Sequence, residues 1–99
     1  CIVDPTPAFR NCSFAAEDCA AAVENMLLAI TGLGYASVWL DGVLRTPAIK
    51  SGLAALLQLP ATREVRVLLP VGRPAAPLGP KEKQPFAKRA WFNVYGGGG

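Results

Sequence analysis

Three cysteines (Cys1, Cys12 and Cys19) and a complete absence of histidine limit what this chain can do with its own side chains. The cysteines form no C-x-x-C pair and have no imidazole co-ligand, which argues against a zinc site. With no histidine to activate a thiol or a hydroxyl, a Cys/His or Ser/His nucleophile is also unavailable. The thiols read as small packing residues. An odd number of them gives no disulfide framework, so a reducing, cytoplasmic setting is expected. Two short patterns carry polar chemistry instead. Asp41-Gly42 follows an apolar run, and a glycine at a strand end lets backbone N–H groups approach a flat ligand closely. Lys81-Glu82-Lys83 lies between Pro80 and Pro85, and on an extended chain residues two apart share a face. Two cations so placed suit a phosphate, although a solvated pair is the commoner case.

Gly32-Leu33-Gly34-Tyr35-Ala36-Ser37 approaches a dinucleotide-binding G-x-G-x-x-G, but its context is reversed. That fingerprint follows a strand and opens a helix, whereas this one closes a helix and opens a strand, with Ser37 in place of the third glycine. No Walker A pattern occurs. The longest apolar stretch, Ala15 to Ile30, is broken by Glu17, Asp18, Glu24 and Asn25, so neither a signal peptide nor a membrane span is expected.

These residues must be positioned by a small body. A chain of 99 residues that is 52% hydrophobic and only 17% charged has more apolar surface than a monomer of its size can cover. Its mean hydropathy of +0.30 points the same way. Burial against a further part of the polypeptide or a partner is therefore expected, and a start at Cys1 rather than methionine fits a fragment or a processed product. Charge is uneven: residues 1–62 hold three basic and five acidic side chains, whereas residues 63–99 hold seven and two. A basic C-terminal third suits an anionic partner, a phosphate-bearing ligand or a nucleic acid, as well as a solvated tail. Basic residues that alternate with prolines, without clustering on a helix or sheet, argue against nucleic acid.

Ser13 is a candidate N-cap, with Glu17 and Asp18 favourable to the helix dipole in the turn that follows. Residues 14–31 then form a helix whose polar positions make one narrow stripe, the pattern of a buried helix with Val23, Leu27 and Ile30 inside. Gly32 and Gly34 end it. Residues 35–40 suit a short strand, Asp41-Gly42 a turn, and residues 48–57 a second helix opened by Pro47 and stopped before Pro60. Residues 64–71 read as a second strand. Four of the nine prolines lie between 73 and 85, which excludes helix or central strand there. Residues 88–95 suit a final strand, and the glycines at 96–99 have no reason to be ordered.

Four blocks together resemble the nitroreductase family of FMN-dependent proteins. Residues 17–29 (EDCAAAVENMLLA) resemble its long central helix. Residues 32–42 (GLGYASVWLDG) look like its glycine-rich helix end and following strand. Residues 67–74 (VLLPVGRP) resemble a later core strand and its exit. Residues 80–86 and 89–96 (PKEKQPF and RAWFNVYG) are similar to the C-terminal arm of a bacterial branch. The resemblance implies an α+β, nitroreductase-like fold of which residues 1–95 are the C-terminal part of one domain. It also implies FMN as cofactor, NAD(P)H as donor, and a nitroaromatic, quinone or similar acceptor.

By position, Leu40, Asp41 and Gly42 match the turn that approaches the flavin, and Lys81 and Lys83 match residues reaching its phosphate. No catalytic residue and no metal ligand is implied on this chain. The expected partner is a second copy, as a homodimer, or the complementary N-terminal half, which carries the other phosphate and ring contacts. Neither nucleic acid nor membrane is an expected partner. A non-catalytic assembly module without bound flavin is the alternative.

Overall fold

The computed structural model describes residues 1–77 and 79–97. In chain order it contains β1 (Ile2–Val3), α1 (Ala15–Gly32), β2 (Ala36–Ser37), α2 (Pro47–Leu56), β3 (Glu64–Val65) and β4 (Val71–Gly72), with 3-10 turns at Gly42–Arg45 and Phe86–Lys88. The arrangement is α+β.

α1 begins one residue later than the Ser13 cap implies, with Phe14 in the capping position. Ser13 still contributes, since its Oγ accepts the Ala15 N–H at 3.3 Å. Glu17 and Asp18 lie in the first turn, where the free N–H groups favour negative charge. The helix ends because Gly34 takes a left-handed φ of +82°. That turn lets the Gly34 N–H reach the Thr31 carbonyl and the Tyr35 N–H reach the Ile30 carbonyl, both at 3.0 Å. Carbonyls that the helix would leave unbonded are thereby satisfied.

α2 closes in the same way. The Gln58 N–H bonds the Ala55 carbonyl at 3.1 Å and the Leu59 N–H bonds the Ala54 carbonyl at 2.9 Å. Here the left-handed position is Gln58, with φ +54°. Thr46 caps the front of α2 with extended backbone, and Pro47 supplies the first helical residue, where no N–H is needed.

Residues 64–72 form the central extended run. β1 pairs antiparallel with β3, Ile2 opposite Val65 and Val3 opposite Glu64. β2 pairs antiparallel with β4, Ala36 opposite Gly72 and Ser37 opposite Val71. The isolated pair Leu40 and Leu68 continues that second register. The single strand expected over 64–71 is instead two short ones, for two reasons. Pro70 falls opposite Val38 in the register and has no N–H to donate, which interrupts the ladder. Earlier, the Arg66 N–H bonds the Cys1 carbonyl at 2.9 Å while the Cys1 nitrogen bonds the Val67 carbonyl at 2.8 Å. Two residues thus oppose one, as in a β-bulge, and the regular alternation of side chains is lost there.

The consequence is visible in the packing. Val67 joins Cys19 and Val23 of α1 in the core, with Val3, Leu27 and Leu69 against them. Val65 instead shares a cavity wall with Leu44. Cys19 and Val23 are buried, whereas Leu27 and Ile30, expected inside, are half-buried, and Leu28 on the same helix is 64% exposed. This chain covers one stripe of α1 and leaves the rest of an apolar helix bare.

Every described residue from Arg73 to Arg89 is exposed. The strand expected at 88–95 does not form. Phe86–Lys88 is a 3-10 turn, and Asn93, at φ +64°, breaks any extended backbone. The Trp91 and Tyr95 rings meet at 4.4 Å between centroids. Of the glycine tail at 96–99, residues 98 and 99 lie outside the described residues, and the Gly97 N–H bonds the Val94 carbonyl at 3.0 Å. The radius of gyration, 17.8 Å, exceeds the ~13 Å of a compact chain of this length.

Candidate functional site

The Leu40-Asp41-Gly42 turn is held from both sides. Behind it, Leu40 and Leu68 exchange both backbone hydrogen bonds, at 3.1 and 2.9 Å. Ahead of it, the Leu44 N–H donates to the Asp41 carbonyl at 2.9 Å and starts the 3-10 turn. Leu44 is buried and anchors that turn, whereas Leu40 is 37% exposed and free to meet a ligand. Among the described residues, the Gly42 and Val43 N–H groups have no intramolecular acceptor. A Cβ placed on Gly42 would meet nothing within 4 Å, so the backbone here borders open space.

The Asp41 side chain is turned to another task. Arg45 donates from Nε to Oδ1 and from Nη2 to Oδ2, each at 2.9 Å. Those hydrogen bonds, more than the charge itself, hold the Asp41 carboxyl below the usual aspartate range, against an opposing effect of burial. The same bonds raise the Arg45 guanidinium above its usual value. Asp41 therefore offers its backbone, not a free carboxylate. Arg45 was not singled out from the sequence, although its spacing of four from Asp41 was a readable signal.

Beside the turn lies a cavity of about 220 Å³ lined by Leu44, Arg45, Lys50, Glu64, Val65 and Arg66. Lys50 and Glu64 form an ion pair across it. A second cavity of about 330 Å³ opens between the α1 end and Pro74, with Tyr35 and Ser37 on its wall. The Ser37 Oγ is buried with no hydrogen-bond partner among the described residues, a polar atom that sequence reasoning did not flag.

The structure thus brings Leu40, Asp41 and Gly42 together on one turn. Lys81 and Lys83 stand on the exposed segment that follows β4, and neither is in an ion pair among the described residues. No hydrogen bond among those residues joins either lysine to the turn. The open backbone edge and exposed leucine of the turn suit a planar ligand, and the two lysines, unpaired among the described residues, separately suit a phosphate, so these residue types are compatible with FMN. No group of three or more potential metal ligands occurs among the described residues. No helix there is long and apolar enough to cross a membrane.

Residues 7–73 match the sequence profile described as the nitroreductase family. Among solved structures, a Bacteroides thetaiotaomicron protein provisionally named NADH dehydrogenase/NAD(P)H nitroreductase is 25% identical and superposes with a TM-score of 0.75. The superposition covers 94% of this chain and 52% of that one, so the chain spans about half the length of the structure it matches. No curated protein matches the sequence.

Proposed function

This chain belongs to the nitroreductase family, and from that membership we propose that it forms the C-terminal half of an FMN-binding oxidoreductase. The observation that carries the reading is the Leu40–Gly42 turn, where the Gly42 N–H has no acceptor among the described residues and a Cβ on Gly42 would meet only open space. FMN, when bound, would supply the redox chemistry between NAD(P)H and a nitroaromatic, quinone or similar acceptor.

The chain's own residues do the holding. The Gly42 and Val43 N–H groups donate to the ligand's polar edge, and Leu40 gives it an apolar contact. Lys81 and Lys83 offset the phosphate charge as point charges with three donors each. Arg45 neutralises Asp41, so that no free carboxylate repels an electron-rich ring beside it. The exposed face of α1 and the arm from Arg73 onward are where the complementary half and a second copy pack.

The test is spectroscopic. The chain, produced together with its complementary half, should purify yellow with a flavin absorbance band that NADH or NADPH bleaches without oxygen. A colourless protein that fails to bind added FMN would overturn the reading in favour of an assembly module.

A further inference from the structure

We propose that Cys1 and Cys19 are a redox-active pair that closes to a disulfide tying β1 to α1. The Sγ atoms stand 2.9 Å apart, well inside the contact distance of two unbonded sulfurs. At ordinary metal–thiolate lengths of about 2.3 Å, two sulfurs sharing a metal would stand farther apart than this. A disulfide, at about 2.05 Å, needs a further approach of less than one ångström.

The two thiols differ in access, which assigns their roles. Cys1 is exposed and Cys19 is 3% exposed within the core cluster. Both are fixed from outside the pair. Cys1 is clamped by the paired bonds to Arg66 and Val67, and Cys19 is held by packing against Val23 and Val67. The third cysteine, Cys12, is exposed and points its thiol at the Arg10 carbonyl, 3.7 Å away.

The oxidant is a low-molecular-weight disulfide such as glutathione disulfide. The Cys1 thiolate attacks one of its sulfurs, forming a mixed disulfide and releasing one glutathione thiolate. The Cys19 thiolate then attacks the Cys1 sulfur, forming the protein disulfide and releasing the second glutathione. Two electrons pass from the protein to glutathione disulfide, and the two thiol protons end on the two glutathione molecules. The exposed thiol meets the oxidant and the buried one resolves the adduct.

The experiment oxidises the intact protein with glutathione disulfide under native conditions, blocks remaining thiols with an alkylating agent, and maps the peptides by mass spectrometry. Free thiols among these three cysteines should fall to one, Cys12, with Cys1 and Cys19 in one linked peptide pair. In Cys12→Ser both remaining thiols should disappear with a mass loss of two hydrogens and no retained glutathione. In Cys19→Ala the reaction should stop with glutathione on Cys1. Cys12→Ser leaves both thiols and the core intact, so its result does not depend on how Cys19→Ala folds. If Cys12→Ser keeps two alkylatable thiols, or keeps glutathione on Cys1 while Cys19 is present, the proposal is wrong.

Discussion

Asp41 and Arg45 close the turn after β2 with two parallel hydrogen bonds of 2.9 Å, one to each carboxylate oxygen. The fork–fork geometry uses both acceptors and fixes the orientation of the turn that borders the proposed ligand. Because those bonds lower the Asp41 pKa in the folded state, their contribution to stability is fully present above the unfolded aspartate value near 3.8 and is lost as pH falls through the lowered folded value. Arg45→Gln should therefore lower the melting temperature slightly at neutral pH, and the difference from wild type should vanish in strong acid. A difference that persists unchanged below the carboxylate range would show that the pair does not act this way.

Val23 is fully buried between Cys19 and Val67. Val23→Ala should cost about 2–3 kcal/mol, lost transfer energy plus a residual cavity. Val23→Asp should abolish folding, since an unpaired buried carboxylate is far more costly. Leu27→Asp should be milder, because Leu27 is only half-buried. Chemical denaturation orders the three, and a Leu27 variant worse than the Val23 one would contradict this packing.

Gln58 holds a left-handed backbone at the end of α2, with φ +54°. A side chain there costs roughly 1 kcal/mol that glycine avoids. Gln58→Gly should raise stability by up to about 1 kcal/mol, less the larger entropy glycine has when unfolded. A clear loss of stability would mean the Gln58 side chain contributes a contact that outweighs its strain.

Lys81→Ala/Lys83→Ala should weaken FMN binding in the complete protein by about ten- to a hundredfold. Riboflavin, which lacks the phosphate, should bind nearly as before. Lys88→Ala, on the same exposed arm, is the control. Lys50 would be a poor one, because it is paired with Glu64. Equal FMN affinity in wild type and double variant would return these lysines to a solvated surface.

Removing residues 80–99 should weaken self-association of the complete protein, since Phe86 and Phe92 on that arm are 60% and 55% exposed. Sedimentation at low micromolar concentration measures it, and an unchanged profile would remove the arm from the interface.

Much of the local architecture was legible in residue order. A helix from about residue 14 had to form, glycine at 32 and 34 had to stop it, Pro47 had to open α2, and Asp41-Gly42 had to turn. Each rests on backbone preferences that act within four or five residues, so the outcome depends little on what lies farther away. The strand expected over 64–71 was half right for the same reason. Its extended character is intrinsic, but which N–H meets which carbonyl is not.

The pairing of Cys1 with both Arg66 and Val67 was decided by the folded body alone. It joins positions more than sixty residues apart, and no local preference of either end encodes it. That slip sends Val67 toward α1 and Val65 toward Leu44, and it sets the Cys1 thiol beside Cys19. Loop closure over such a separation is repaid only when helix, turn and extended run pack at once. Composition foretold that surplus apolar surface would exist. The proline-dense stretch from residue 73 onward already marked the arm as part of it, and only packing determined which side of α1 would be the rest.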